Sequence, residues 1–147
     1  MLTYRKWAAA LIASLALLSS LAHAEDRPPV ADKVVAYGGE HGVKVWTLRI
    51  GERSANEALV QVEGVDNDWN MRIQKMKVEK TDKGTRYFTT VDGKPFAALI
   101  IQGPDTWSPS ELYLPGESQV IRVAYSDGLS EAGNAQAFLT DYLNQKE

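Results

Sequence analysis

Several residues in this chain carry side chains able to do chemistry, and each needs partners at a fixed spacing. Asp66, Asp68 and Asn70 alternate as the oxygen ligands that open a calcium-binding loop do. Such a loop also needs Gly at its sixth position and Glu at its twelfth. Those places hold Met71 and Lys77, a thioether and a cation, so the run reads as a polar turn between strands. His41 lies in Gly38-Gly39-Glu40-His41-Gly42, and the only other His is His23, within the leader described below. A zinc site draws about four ligands, mostly from His and Cys, and the chain has no Cys. As a catalytic base His41 would need a paired nucleophile, but no Ser sits in a Gly-x-Ser-x-Gly elbow. The glycines beside His41 lack the Gly-Lys-Ser/Thr ending of a phosphate loop. Carboxylates that could cleave a glycosidic bond (Asp105, Glu111, Glu117, Asp127) fall in loops or at strand ends, where acidic residues are ordinary. The expectation is therefore no metal, no cofactor and no enzymatic activity.

Two tryptophans are more suggestive. Trp69 sits among polar turn residues with Asp66 and Asp68. Trp107 sits in a second such run with Asp105 and, a little further on, Glu111; Pro104 and Pro109 stiffen it. A rigid aromatic flanked by polar groups is what recognition surfaces use. Trp69, Asp66, Asp68, Trp107, Asp105 and Glu111 are thus the candidate binding residues. The competing expectation is that both rings fold back and cap the ends of a barrel or sandwich.

These loops hang on strands. From Lys33 onward, apolar residues recur with period two. Val43, Val45 and Thr47 share one face, and Trp46, Leu48 and Ile50 the other. Ala58, Val60 and Val62 form another stripe, as do Tyr87, Thr89 and Val91, and Ile121, Val123 and Tyr125. The apolar phase slips between Ile73 and Met76, as a β-bulge would make it do. Phe96 to Ile101 is continuously apolar, which predicts a strand covered on both faces. Asp92-Gly93 predicts a two-residue hairpin, and Asp82-Lys83-Gly84 a slightly longer one, so residues 71 to 102 read as a three-stranded meander. After Asp127-Gly128 the period changes. Ser130 is a candidate cap for a helix, although Gly133 and Asn134 move its start toward Asn134. Ala135, Phe138, Leu139 and Tyr142 then form one apolar stripe. The expected fold is mainly β with α+β character: an antiparallel β-sandwich or part-closed barrel of six to eight strands with one C-terminal helix.

The start of the chain predicts its address. Arg5 and Lys6 precede an apolar run from Ala8 to Leu18, and Ala22-His23-Ala24 offers small residues at the positions a signal peptidase reads. The run is shorter than the ~20 residues a membrane-spanning helix needs. Residues 1–24 therefore read as a cleaved secretory signal peptide, 25–32 as a flexible lead, and 33–147 as a single β-rich domain. The expected location is the bacterial periplasm or beyond, with no membrane span after cleavage. Losing Arg5 and Lys6 makes the chain more acidic than its overall formal charge of −3. That balance argues against nucleic acid, which needs clustered cations, and suits a basic partner. Without disulfides, stability in an oxidising compartment must come from core burial. The functional expectation is a small binding or inhibitor protein acting by protein–protein recognition, for example an immunity protein against a hydrolase that attacks the cell envelope. The alternatives are a carrier of a small lipid or glycan, and an envelope hydrolase.

Overall fold

In the computed structural model of the protein, residues 27–145 are described. The signal peptide read at residues 1–24 lies outside them. Eight strands follow one another around a closed antiparallel barrel: β1 (Val35–Gly39), β2 (Lys44–Arg49), β3 (Glu57–Glu63), β4 (Ile73–Thr81), β5 (Gly84–Val91), β6 (Lys94–Ile101), β7 (Ser110–Leu112) and β8 (Ile121–Tyr125). Each strand pairs with its neighbours in sequence, and β8 closes the ring on β1 through Tyr37↔Tyr125, Gly38↔Ala124 and Gly39↔Val123. Closure leaves no unpaired edge to template aggregation.

Alternation then sorts the side chains. On β2, Val45 and Thr47 point into the barrel, while Trp46 and Leu48 point out. Val45, Val60, Met76, Leu99 and Leu112 are completely buried and fill the middle of the barrel. A second apolar layer lies outside, where Leu48, Ile50, Leu59 and Ile73 receive the C-terminal helix. The two layers explain the phase slip read as a bulge in β4. The β3–β4 register runs unbroken from Glu57↔Lys77 to Gln61↔Ile73. Ile73 faces outward under the helix and Met76 faces inward, so one strand is apolar on both faces with no extra residue. The bulge lies instead between Tyr87 and Phe88, where β5 meets β6.

The C-terminal segment is two helices, not one: α1 (Asp127–Ala132) and α2 (Ala135–Gln145). Ser126 caps α1 by accepting from the Leu129 amide, and the Asn134 side chain accepts from the Ala137 amide at the start of α2. Between them a side chain at Gly133 would meet Val34 at 2.2 Å. Ser130, read as a helix cap, lies inside α1. Its hydroxyl donates to the Ser126 carbonyl at 2.8 Å and accepts from the Ala36 amide at 2.9 Å, tying α1 to β1. Gln145 locks the far end of α2, accepting from the Ile73 amide at 2.8 Å and donating to the Ile73 carbonyl at 2.6 Å.

Asp92 (φ 51°) and Gly93 (φ 77°) make the expected two-residue hairpin. Asp82-Lys83 is also a two-residue connection, shorter than expected, with Thr81 paired to Gly84. Of the segment read as a flexible lead, 25–32, the described residues from Arg27 onward are held in place. Val30 bridges to Ile50, the Ala31 amide donates to the Arg49 carbonyl, and Arg27 donates to Gln136 and Thr140 on α2. Among the described residues no helix is long and apolar enough to cross a membrane.

Candidate functional site

The barrel has two unlike ends. At one, where β3 leads into β4, the loop 64–72 folds across the opening. Trp69 is only 7% exposed and packs edge-on against Phe96, with ring centres 5.6 Å apart. Polar residues hold that loop in shape. The Asn70 side chain accepts from the amides of Gly64 and Val65, and the Asn67 side chain accepts from the Trp69 amide. The Asn67 side chain also donates to the Pro115 carbonyl, joining this loop to the one between β7 and β8. Asp66 and Asp68 are exposed on its surface. Among the described residues no cluster of acidic and imidazole groups suits a metal ion.

The opposite end is open. It is formed by the starts of β1, β3, β5 and β7 and the ends of β2, β4, β6 and β8. Here a cavity of about 430 Å³ enters the barrel, walled by inward side chains of six strands, β1 to β6. Tyr37, Thr47, Ala58 and Ile101 are buried and make its floor, and Tyr87 stands beside them. One inward step further along these strands lie Val45, Val60 and Leu99, all completely buried, so the cavity is blind.

The floor is polar as well as aromatic. The Thr47 hydroxyl donates to the Val35 carbonyl at 2.7 Å. Burial, reinforced by the neighbouring phenols of Tyr87 and Tyr125, pushes the Tyr37 phenol up from its ordinary ionisation range. Burial also raises that of Tyr87, against a smaller opposing effect of its hydrogen bond with Thr47. Both therefore stay protonated hydroxyls.

The rim is charged. Lys33, Arg49, Arg53 and Lys80 line the cavity together with Glu57 and Asp105. Both acids are engaged elsewhere. The Glu57 carboxylate reaches Lys77 at 3.3 Å and Lys75 at 3.7 Å, and both lysines lie on the outer face of β4. Asp105 accepts from the Trp107 amide at 3.1 Å and the Ser108 hydroxyl at 3.2 Å within its own loop. Among the described residues no carboxylate lies within ion-pair distance of the four rim cations.

Trp107 stands at this rim, 67% exposed. It packs edge-on against Tyr125 at 4.9 Å, and Tyr125 packs edge-on against Tyr37 at 6.3 Å. An aromatic chain thus runs from solvent to the cavity floor. The Asp127 carboxylate, bonded to the Tyr125 hydroxyl, holds that phenol above its ordinary value. Glu111 lies on the outward face of β7, accepting from Gln102 and from the Tyr113 hydroxyl.

The six residues singled out by sequence are therefore not one surface. Asp66, Asp68 and Trp69 belong to the capped end, Asp105 and Trp107 to the open end, and Glu111 to the barrel wall. The residues that line the cavity escaped the sequence reading, because Lys33, Arg49, Arg53 and Lys80 stand on four separate segments. The one available signal was cations at inward-phase positions of apolar strands, Arg49 after Thr47 and Lys80 after Val78. His41 is exposed at the capped end beside a second hollow of about 550 Å³ that Asp66, Glu117 and Arg122 also line. Set against known protein families, curated proteins and solved structures, the chain matches none of them.

Proposed function

We propose that this protein is an exported small-ligand binding protein, a carrier of a lipid- or glycan-class molecule held in the open end of the barrel. The observation that carries this reading is the blind cavity. An eight-stranded barrel has an interior wide enough either for its own side chains or for one small ligand. This barrel does both: Val45, Val60, Met76, Leu99 and Leu112 fill its middle, and the end above Tyr37 is hollow. The volume of about 430 Å³ falls in the ordinary range of ligand sites. Val35, Val78 and Ile101 supply apolar wall, while the hydroxyls of Tyr37, Thr47 and Tyr87 supply the few oriented polar groups such sites use. Export fits the leader at residues 1–24. Native mass spectrometry of protein purified from its host tests the reading. A one-to-one adduct is expected, and an unliganded mass in every preparation would remove it.

A second reading, recognition of a protein partner, is favoured by one observation. Trp107 is a largely exposed ring on a loop that Asp105 fixes from within. An inhibitor or immunity protein would use such an anchor, and the acidic balance suits a basic target. A stoichiometric partner captured from periplasmic extract by the native protein and lost with Trp107→Ala would support this reading. Capture unchanged by that substitution would count against it.

A further inference from the structure

We infer that the occupant of the open cavity is a compact amphipathic anion, its acidic group held at the rim among Lys33, Arg49, Arg53 and Lys80 and its apolar body against the Tyr37–Tyr87 floor. The inference rests on the carrier reading and adds the chemical class of the ligand.

The first argument is charge. The whole chain is acidic, with a formal charge of −3, yet its cavity collects four cations against two acids. Both acids are already satisfied. Glu57 is held from outside by Lys75 and Lys77, and Asp105 is held by the backbone and Ser108 of its own loop. Like charges gathered around a partly enclosed hollow repel one another, and low-dielectric walls focus the field they produce. An anion at the rim relieves that repulsion. Arg49 is already oriented for it, because one guanidinium nitrogen donates to the Gly51 carbonyl at 2.7 Å and anchors the group.

The second argument is shape. The layer beneath the floor, Val45, Val60 and Leu99, leaves no continuation of the cavity through the barrel. An extended acyl chain therefore has no channel to follow, whereas a ring system or a short branched chain fits. The phenol rings of Tyr37 and Tyr87, both lining the cavity, offer ring edges and faces to such a body.

Two probes of matched ring chemistry test the charge requirement. 1-Anilinonaphthalene-8-sulfonate carries an anionic group, and N-phenyl-1-naphthylamine is its uncharged counterpart. Isothermal titration and probe fluorescence are measured with the wild type and with the double variant Arg53→Gln/Lys80→Gln. Both substituted residues are exposed, and among the described residues their side chains make no hydrogen bond or ion pair; thermal unfolding checks the variant's integrity. The sulfonate is expected to bind one-to-one, to weaken as salt screens the rim, and to weaken roughly tenfold in the double variant. The uncharged probe is expected to be indifferent to both changes. Equal binding of both probes, unmoved by salt and by the substitutions, would overturn the anion assignment and leave the carrier reading standing. Failure of both probes to bind the wild type would overturn the two together.

Discussion

Single residues carry testable parts of this account. Gly84 has φ 150°, and a Cβ there would meet the Ile101 carbonyl oxygen at 2.1 Å. Gly84→Ala must therefore move backbone at the β5–β6 junction, and it should cost about 2 kcal/mol or more in urea unfolding. The Ser130 hydroxyl satisfies the Ala36 amide, itself on a completely buried residue. Ser130→Ala leaves that donor unpaired and should cost roughly 1–3 kcal/mol by the same measurement. The floor phenols predict a pH response. Tyr37 and Tyr87 ionise above their ordinary value in the folded protein because burial disfavours phenolate. Unfolded chains lose those protons near about pH 10, while the folded protein retains them. Stability is then full below that pH and falls as pH rises through it. Urea midpoints should begin to drop at about pH 10 and go on dropping above it, and the drop should shrink in Tyr37→Phe. An unchanged alkaline drop in that variant would show that Tyr37 is not its source. Residue type misled in one respect. Trp69 and Trp107 have similar polar neighbours in sequence, yet one ring is buried and the other exposed. The difference is that the loop 64–72 folds Trp69 into the buried core cluster, while Trp107 meets Tyr125 at the open end, a contrast no local pattern can reveal.

Elements explain where alternation was a good guide and where it failed. Period two was enough to find most of the strands, though not β1 or β7, and Asp92-Gly93 was enough to find a hairpin, because both signals are local. The slip in β4 was misread because a strand under a helix is apolar on both faces, which mimics an inserted residue. Likewise, α1 was invisible as a separate helix: it is six residues long and is held by Ser126 and by its bond to β1, not by an apolar stripe. The longer helix α2 is the outer half of a second core. Leu139 is completely buried there among Leu48, Leu59 and Ile73. Leu139→Ala should cost about 2–5 kcal/mol. It should also release the grip of Gln145 on Ile73, seen as faster hydrogen exchange of the Ile73 amide than in the wild type. Exchange unchanged at Ile73 would mean that the end of α2 is fixed independently of its packing.

At the scale of the molecule, closure creates the site. β1 and β8 are joined across nearly the whole described chain, and no turn signal announces that pairing, so sandwich and barrel were indistinguishable in sequence. Once the ring closes, Lys33 from just before β1, Arg49 from β2, Arg53 from the β2–β3 loop and Lys80 from β4 come to one rim. Separation in sequence hid them, just as it hid the buried floor beneath them. The same closure divides the interior. Trp69 and Phe96 seal one end, the central apolar layer fills the middle, and the other end stays hollow and charged. The central claim is that this hollow end holds the ligand. Thr85 faces it from β5, partly buried and beside open space, so Thr85→Trp should place an indole in the cavity without disturbing the core. The most direct test is isothermal titration of 1-anilinonaphthalene-8-sulfonate into wild type and Thr85→Trp, with thermal unfolding of both. The account expects one-to-one binding to the wild type, its loss in the variant, and closely similar unfolding temperatures. Undiminished binding to a folded Thr85→Trp protein would contradict it.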